Sequence, residues 1–453
     1  MRKTARKIMR LALIFFVGLP FYIQAADHPP AVKQGHITIL RDHLQDENTL
    51  AIDGEWEFYW RRLLTPDSFA IRSIVPQFQF VPSKWNLYVV NGKDIPVRGF
   101  ATYRLTIHNP DKIDDLMIKI PGIATACRIW VNGILKQTQG NVAVRAEDSK
   151  PRRLHNFILL PADETITLVV EASNYEYSVP GISHTVIAAH EEVLIDREDL
   201  AHDFEMIEIG CLLIMIFYHL ALYFQLGRNT SYLLLSLLCT VVLIRASATY
   251  HSSLILFRLF PSIEFSSIKK FEFGFTYASL FLLPMFVRSL FQKDTPLWSI
   301  RIFQVVGGLL CLLVVATTPD IFGQALDFYH LMMTLAFILT LWVIVKAIRR
   351  KRDGAWIIFT GILLCSVFVE FEMLMVSGII PERLSPFPNT VGAGVVIFLL
   401  FQSIGLSVRF AKAFKDVEEL THTLEKRVEK RTEELSRANL VKDKMFSIIS
   451  HDL

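Results

Sequence analysis

Seven apolar stretches of membrane-spanning length occupy the second half of this chain, and they limit what it can fold into. A helix needs about 20 apolar residues to cross a bilayer. The stretches lie at about 205–225, 231–249, 270–290, 300–318, 326–347, 355–378 and 390–410. With 52% hydrophobic residues among 453, the chain is not an ordinary soluble protein, and a net charge of +3 gives no reason to expect a nucleic-acid partner. The sequence predicts a multi-pass protein with a seven-helix transmembrane domain over 201–410.

The first 26 residues have the three-part layout of a secretory signal peptide. Basic residues between Arg2 and Arg10 precede an apolar run that ends at Ile23, and Ala25 and Ala26 are small enough for cleavage. Ile23 occupies a position where a small residue is usual, so a retained membrane anchor is the alternative. Either outcome exports the chain from residue 27 onward.

The seven stretches place the two ends of the chain on opposite sides of the membrane. If the N-terminal part is exported, the basic cluster at 346–352 and the tail from Arg409 lie in the cytoplasm, in agreement with the positive-inside rule. Lys269 and Lys270 are the exception, because they lie on the outer side. We therefore expect an inner-membrane protein with a periplasmic or extracellular domain over 27–200 and a cytoplasmic tail.

The exported part predicts a β-sandwich. Runs that alternate in hydrophobicity and are rich in β-branched and aromatic residues lie at 56–60, 101–107, 116–120 and 166–172. Asn132-Gly133, placed between two apolar runs, is typical of a type I′ hairpin, in which both turn residues need positive φ.

The five cysteines do not predict a disulfide framework or a metal site. Only Cys127 lies in the exported part, so no pair exists there. The other four lie in apolar stretches without CxxC spacing, which is typical of small buried residues: Cys211, Cys239, Cys311 and Cys365.

Four segments of the exported part carry a resemblance to a known family: GEWEFYW (54–60), PSKW (82–85), GFATYRL (99–105) and WVNG (130–133). Together they resemble the extracellular sensor domain of bacterial seven-transmembrane receptors with diverse intracellular signalling modules. They are also similar to the galactose-binding-like jelly roll found beside glycosidase catalytic domains. The resemblance implies a jelly roll over most of 45–195 that binds a carbohydrate or a related small solute.

Trp85 and Tyr103 are candidate ligand-binding residues in this domain. An aromatic ring can stack on the apolar face of a sugar, but the core of a sandwich uses the same residue types, so a packing role is the alternative. A glycosidase needs two carboxylates at a defined separation across a cleft. No such constellation stands out in the sequence, so we do not expect hydrolysis.

Charged residues inside the apolar stretches are costly and are usually paired or functional. Arg245 lies near the outer end of the second stretch, and Glu370 and Glu372 lie in the outer half of the sixth. The similar depths predict a contact between Arg245 and Glu370 or Glu372. The pair would be a static stabilising contact or a signalling switch, and snorkelling of Arg245 to the interface is a further alternative.

The cytoplasmic tail predicts a coiled-coil helix over 411–440. Its apolar residues follow steps of three, four and seven, without Pro or Gly between Ala411 and Leu453. We expect a homodimer through this helix. A single solvated helix is the alternative, because Arg427 and Arg431 fall near the seam.

The segment KDKMFSIISHDL (442–453) resembles the phosphoacceptor box of sensor histidine kinases, and 424–439 resembles the linker helix that precedes it in that family. The resemblance implies that His451 accepts phosphate and that Asp452 acts as the base. A hydrolase triad is excluded, because consecutive residues on a helix point in different directions.

The family continues beyond this box with an ATP-binding domain, which the given sequence does not include. We expect no cofactor in this chain, with ATP and Mg²⁺ needed only by a full-length kinase. The chain is then a fragment of a longer product or a natural truncation, with 441–453 as the start of the phosphoacceptor domain.

The sequence thus predicts a transmembrane receptor of a two-component system that senses an extracytoplasmic small ligand such as a carbohydrate. Its downstream partner in a full-length kinase would be a response regulator. One alternative is a catalytically inactive receptor, or a dominant-negative partner, that binds ligand and dimerises. Another is a receptor of the same family with a different output, such as a cyclase.

Overall fold

The computed structural model describes most of the chain beyond the predicted signal peptide. The described residues are 32–44, 49–71, 74–123, 125–152, 156–225, 228–248, 260, 262–352, 354–376, 380, 387 and 389–451. The predicted signal peptide over 1–26 lies outside them, as does Asp452.

The described residues form an N-terminal β domain and a C-terminal helical part. The strands are β1 His36–Thr38, β2 Leu50–Ala51, β3 Gly54–Trp60, β4 Gln77–Val81, β5 Val89–Val90, β6 Lys93–Asp94, β7 Gly99–His108, β8 Leu116–Ile120, β9 Ala126–Val131, β10 Ile134–Gln139, β11 Asn156–Leu159, β12 Thr165–Asn174 and β13 Ile187–His190. The helices are α1 Pro66–Ile71, α2 Glu191–Gln225, α3 Thr230–Ala248, α4 Phe265–Leu290, α5 Leu297–Ala316, α6 Pro319–Phe322, α7 Leu326–Arg349, α8 Ala355–Val376 and α9 Thr390–His451. Short 3₁₀ turns occupy Arg41–Leu44, Trp85–Leu87, Ala146–Asp148 and Gly323–Ala325.

Two sheets of the β domain contribute to one hydrophobic core, as in a β-sandwich. The larger sheet has the order β10-β9-β12-β7-β3-β4, with β1 added parallel to β7, and the smaller has the order β11-β8-β13-β2. The core combines Trp56, Tyr103 and Leu168 of the larger sheet with Ile118 and Ile158 of the smaller. Alternation along the strands explains this arrangement, since every second side chain of a strand faces the same side. The jelly-roll connectivity stays a prediction.

The hairpin predicted at Asn132-Gly133 joins β9 and β10. The φ angles of Asn132 and Gly133 are 47° and 83°, the positive values that a type I′ turn needs. The Asn132 side chain also ties the turn to β12, because its Oδ1 accepts a hydrogen bond from the Thr167 N–H at 2.7 Å. The prediction of this turn is confirmed, and Asn132 has a structural role in it.

Seven helices of the described residues are long and apolar enough to span a membrane: α2, α3, α4, α5, the α6–α7 segment, α8 and α9. The hydrophobic core of these helices includes five fully buried side chains: Leu212, Tyr277, Leu280, Ala336 and Val343. The prediction of seven spans and a multi-pass membrane protein is confirmed. The first spanning helix, α2, begins at Glu191, earlier than the predicted start at about 205, because β13 runs directly into it.

Helix α9 continues far beyond the last span. It contains 62 residues without interruption, and the side chains of residues 411–445 are exposed. An exposed helix of this length with apolar residues at regular spacing is typical of one that packs against a partner.

Candidate functional site

The two predicted ligand-binding residues, Trp85 and Tyr103, are both fully buried in the core of the β domain. The Trp85 indole N–H donates to the carbonyl oxygens of Pro96 and Val97, each at 3.1 Å. Gly181, at φ 80°, packs so closely that a Cβ atom there would lie 2.5 Å from the Tyr103 hydroxyl. The contacts of both residues fit a packing role, and their role in ligand binding stays a prediction.

The β domain connects to the helical bundle through the continuous chain from β13 into α2. The imidazole of His190, the last residue of β13, lies 2.8 Å from the Asp115 carboxylate. About two turns into α2, Glu198 forms an ion pair of 2.7 Å with Lys119 of β8. Leu194 packs with Met117 and Ala189. The first turns of α2 are therefore fixed to the β domain, and any movement of the domain acts on this helix.

A second connection, which we call the junction, joins distant parts of the chain. On the β domain it consists of Arg98 and residues 176–178. On the bundle it consists of the start of α4, of α6 and of Gly323, which follows α6. Arg98 forms an ion pair with Asp320 of α6, with Nη2 and Oδ2 2.5 Å apart. Ser178 leaves no space for a side chain at Gly323, because an added Cβ atom would lie 2.2 Å from the Ser178 hydroxyl.

Tyr177 is the aromatic centre of the junction. Its ring lies 5.9 Å from the ring of Phe265 in an edge-to-face arrangement. The Lys269 ammonium lies 4.8 Å from the centre of the Tyr177 ring and 2.6 Å from the Glu272 carboxylate. Tyr177 also packs against the core of the bundle. A side chain of the β domain thus contacts the hydrophobic interior of the helical bundle.

Glu176 adds an acidic group to the junction. Burial is the largest cause that raises the pKa of its carboxyl above the ordinary value of 4.5, and the charges of Glu264 and Asp320 raise it further, while Arg98 opposes them. The junction therefore contains three carboxylates within electrostatic range of one guanidinium, so its stability depends on their protonation.

A polar group lies between the spans at the domain-proximal end, by which we mean the end of the bundle where α2 begins. Glu208 of α2 is buried, and its Oε2 accepts a hydrogen bond of 2.9 Å from the Asn389 amide. Its Oε1 has no hydrogen-bond partner among the described residues. Gly392 of α9 makes room for this carboxylate, because a Cβ atom there would lie 2.4 Å from Glu208 Oε2.

Arg245, which the sequence predicts to pair with Glu370 or Glu372, lies in the same polar group. Its charge interacts electrostatically with Glu208, Tyr329 and His330. Glu370 Oε2 instead accepts a hydrogen bond of 2.9 Å from the Thr334 hydroxyl. The predicted pair of Arg245 with Glu370 or Glu372 stays a prediction, and Glu208 is an additional carboxylate in range of Arg245 that the sequence pattern does not predict.

All five cysteines of the chain are free thiols. Burial raises the pKa of the Cys127 thiol to about 12, so this thiol stays protonated and unreactive. The other four cysteines are free thiols, either buried or half-buried. Among the described residues, no three His, Cys, Asp or Glu side chains are placed to hold a metal ion.

The predicted phosphoacceptor His451 is the last residue of α9. Its side chain, like Asp452, lies outside the described part. Upstream of it, α9 exposes apolar side chains along the predicted seam, each at least 50% exposed: Val417, Leu420, Leu424, Val428, Leu435, Val441 and Met445. The backbone therefore joins the membrane to His451 by one helix.

The helical part of the chain matches a known protein family. Residues 203–409 match the family model described as 7TM diverse intracellular signalling. No curated protein matches the chain. The solved structures that are similar include the apo β-glucuronidase from Ruminococcus gnavus (14% identity, TM-score 0.24, covering 32% of this chain and 29% of that one) and its complex with D-glucaro 1,5-lactone (14% identity, TM-score 0.24, covering 34% and 31%).

The chain spans less than a third of the length of those enzymes, and similarity at this level assigns neither fold nor activity. The family match covers the seven spanning helices from within α2 to the membrane-embedded part of α9. The helical part of this chain is therefore a seven-transmembrane receptor domain with a role in signalling.

Proposed function

We propose that the chain is the sensing and transmembrane part of a sensor histidine kinase. In this proposal the β domain lies in the periplasm and binds a small ligand such as a carbohydrate. The bundle crosses the inner membrane, and α9 carries the signal to the cytoplasm. A nucleotide-binding domain would bind ATP with Mg²⁺, and His451 would accept the γ-phosphoryl group, with ADP as the leaving group, before a response regulator receives it.

The observation that carries this proposal is the continuity of α9. The helix begins in the bundle beside Glu208 and ends at His451 with no interruption. A change in the packing of the bundle therefore reaches the phosphoacceptor position without crossing a flexible linker. A neutral imidazole is nucleophilic near pH 7, and a neighbouring carboxylate such as Asp452 increases this reactivity by drawing the proton from the other ring nitrogen.

Dimerisation through α9 is part of the same proposal. Apolar side chains exposed at regular spacing along a charged helix are stabilised when a second copy covers them. Two paired helices also give a bistable element, since a small rotation or a shift in register changes which residues face each other. Ligand binding at the far end of the molecule would bias that equilibrium only through different contacts in the two states.

The proposal is tested on the native gene product in its own membranes. After incubation with radiolabelled ATP, we expect acid-labile phosphate on the protein, lost in His451→Gln and Asp452→Ala. His422→Gln is the matched control, because His422 is exposed on the same helix, and it should keep the label. Label that persists in His451→Gln would refute the phosphoacceptor assignment. A product that dimerises but never takes up label would support the catalytically inactive receptor instead.

A further inference from the structure

The larger sheet carries an ordered set of polar residues on the side that faces away from the core. Strand register places two neighbouring rows across β3, β7, β12 and β9. The first row is Tyr59, Thr102, Glu171 and Arg128, and the second is Glu57, Arg104, Val169 and Trp130. We call these eight residues the sheet platform. Two carboxylates, two guanidiniums and two aromatic rings on one sheet face are a concentration of groups that recognise polar ligands.

The carboxylates of the sheet platform are already engaged by its donors. Glu171 is fully buried; Arg128 Nε lies 2.9 Å from its Oε2, and the Trp130 indole N–H donates to the same oxygen at 3.2 Å. The Tyr59 hydroxyl donates to Glu57 Oε2 at 2.7 Å. Burial, followed by the Glu57 carboxylate, raises the pKa of Tyr59, so the hydroxyl keeps its proton. Most of the hydrogen bonds that the Glu57 and Glu171 carboxylates accept therefore come from other residues of the sheet platform.

The guanidiniums, in contrast, keep donors to spare. Arg104 Nη1 lies 3.5 Å from Glu57 Oε2 and the guanidinium also interacts with Tyr59, while its buried Nε has no hydrogen-bond partner among the described residues. The side chains of Arg104 and Arg128 are 30% and 33% exposed. A guanidinium has five N–H donors in a planar fork that matches a carboxylate. Part of each guanidinium side chain therefore lies next to solvent, although Arg104 Nε itself is buried, and Arg104 is the less engaged of the two.

An apolar surface lies beside these donors. Trp130 is partly exposed, and Leu135, directly opposite it on β10, is 44% exposed. The hydrogen bond to Glu171 fixes the indole ring against the sheet. On the other side, Phe69 of α1 lies 4.9 Å below the Arg104 guanidinium and limits its movement. A ligand on this face would meet an oriented guanidinium on β7 and an oriented indole ring on β9, two strand spacings or roughly 10 Å apart with Val169 of β12 between them.

We propose that the sheet platform binds an acidic saccharide, whose carboxylate pairs with Arg104 and whose apolar ring face packs on Trp130. Excess donors favour an anionic group over a neutral one, and the indole ring favours a ligand with a flat apolar face over a simple anion. The inference rests on the proposed sensory function of the β domain, and it assigns that function a ligand class and a location different from Trp85 and Tyr103.

The test measures binding to the full-length protein in lipid nanodiscs by calorimetry, with three probes. D-glucuronate carries both recognition elements, D-glucose lacks the carboxylate, and acetate lacks the ring. We expect D-glucuronate to bind about tenfold more tightly than D-glucose, as a charge-assisted hydrogen bond implies, and acetate not to compete.

Variants assign the binding to individual residues. Arg104→Gln is expected to lower the affinity for D-glucuronate to that for D-glucose, whereas Arg104→Lys, which keeps the charge, should retain part of the preference. Trp130→Leu should weaken both sugars. Leu159→Ala is the matched control, because Leu159 is 44% exposed on the smaller sheet. Thermal unfolding of each variant separates lost binding from lost folding.

Three results would overturn the proposal: no binding of D-glucuronate to the wild type, equal affinity for D-glucose, or an unchanged preference in folded Arg104→Gln. Effective competition by acetate would reduce the sheet platform to an anion site and would also refute it. Phosphate labelling of His451 in the same gene product distinguishes the two proposals. Labelling that persists while D-glucuronate fails to bind refutes the platform alone.

Discussion

Arg98 of the β domain and Asp320 of the helical bundle form an ion pair across the junction, although 222 residues separate them in the sequence. The Thr318 hydroxyl donates a hydrogen bond of 2.6 Å to the other oxygen of the Asp320 carboxylate. The Asp320 carboxylate is therefore oriented by Thr318 of its own turn, independently of Arg98. Together with Tyr177, this pair gives the β domain a contact with the bundle that does not depend on the chain connection into α2.

Removing either charge of this pair should loosen the junction. We expect Arg98→Gln and Asp320→Asn each to destabilise the protein by about 1 kcal/mol, with the double variant no worse than the single ones. The measurement is a double-mutant cycle by thermal unfolding in detergent. Arg98→Gln combined with Glu147→Gln is the control, because Glu147 is exposed outside the junction, and that combination should be additive. Additive effects for Arg98 and Asp320 would contradict the pairing.

Glu176 should make the stability of the junction depend on pH. In the unfolded chain its carboxyl ionises near the ordinary pKa of 4.5, whereas in the folded junction the raised pKa keeps it protonated to higher pH. The contribution of Glu176 to stability therefore falls as pH rises from the ordinary pKa through the raised one, and it stays lower above that.

Glu176→Gln should remove this dependence and raise the unfolding temperature at neutral pH. Thermal unfolding between about pH 4 and 8 measures it, with Glu147→Gln as the exposed control. Parallel pH profiles of the wild type and Glu176→Gln would show that the charges at the junction are screened by solvent.

Pairing of two α9 helices should bring seam residues of two copies together. Leu424→Cys in native membranes is expected to form a disulfide-linked dimer on mild oxidation. Lys426→Cys is the control, because two residues further along a helix turn the side chain by about 200°. Equal crosslinking at both positions would indicate random collision, and crosslinking at neither would favour a single solvated helix.

Arg245 and Glu208 should be energetically coupled inside the membrane. Removal of Arg245 leaves the Glu208 carboxylate without the nearby positive charge, which is costly in a medium of low polarity. We expect Arg245→Gln and Glu208→Gln to show a coupling energy of about 1–3 kcal/mol in a double-mutant cycle by thermal unfolding. A second cycle with Glu370→Gln tests the pair predicted from the sequence, and strict additivity there would rule that pair out.

The sequence predicted those elements whose signal is local. A bilayer-length apolar run needs no tertiary information, so all seven spans were predictable, as was the Asn132-Gly133 hairpin from its turn chemistry. The strands at 101–107 and 116–120 followed from alternation alone. These features depend on residues near one another in the chain, which is why pattern was sufficient.

The contacts that join the parts of the molecule could not be predicted in this way. Glu208 lies at the start of the first apolar stretch, where a carboxylate is usually outside the membrane, and only packing against Asn389 shows it to be buried. Nothing local distinguishes Arg98 from other exposed arginines of the β domain. The burial of Trp85 and Tyr103 depends likewise on which face of each strand meets the opposite sheet.

The uninterrupted α9 also has a mechanical consequence. At 1.5 Å per residue, the part of this helix beyond residue 410 is a rod of about 60 Å, with its pivot inside the bundle. A tilt of only about 5° at the pivot displaces the far end by about 5 Å, roughly one helical turn. The same tilt moves the end of α9 beside Glu208, at most about 30 Å from residue 410 along the helix, by no more than about 3 Å. The helix therefore has the proportions of a lever whose longer arm ends at His451.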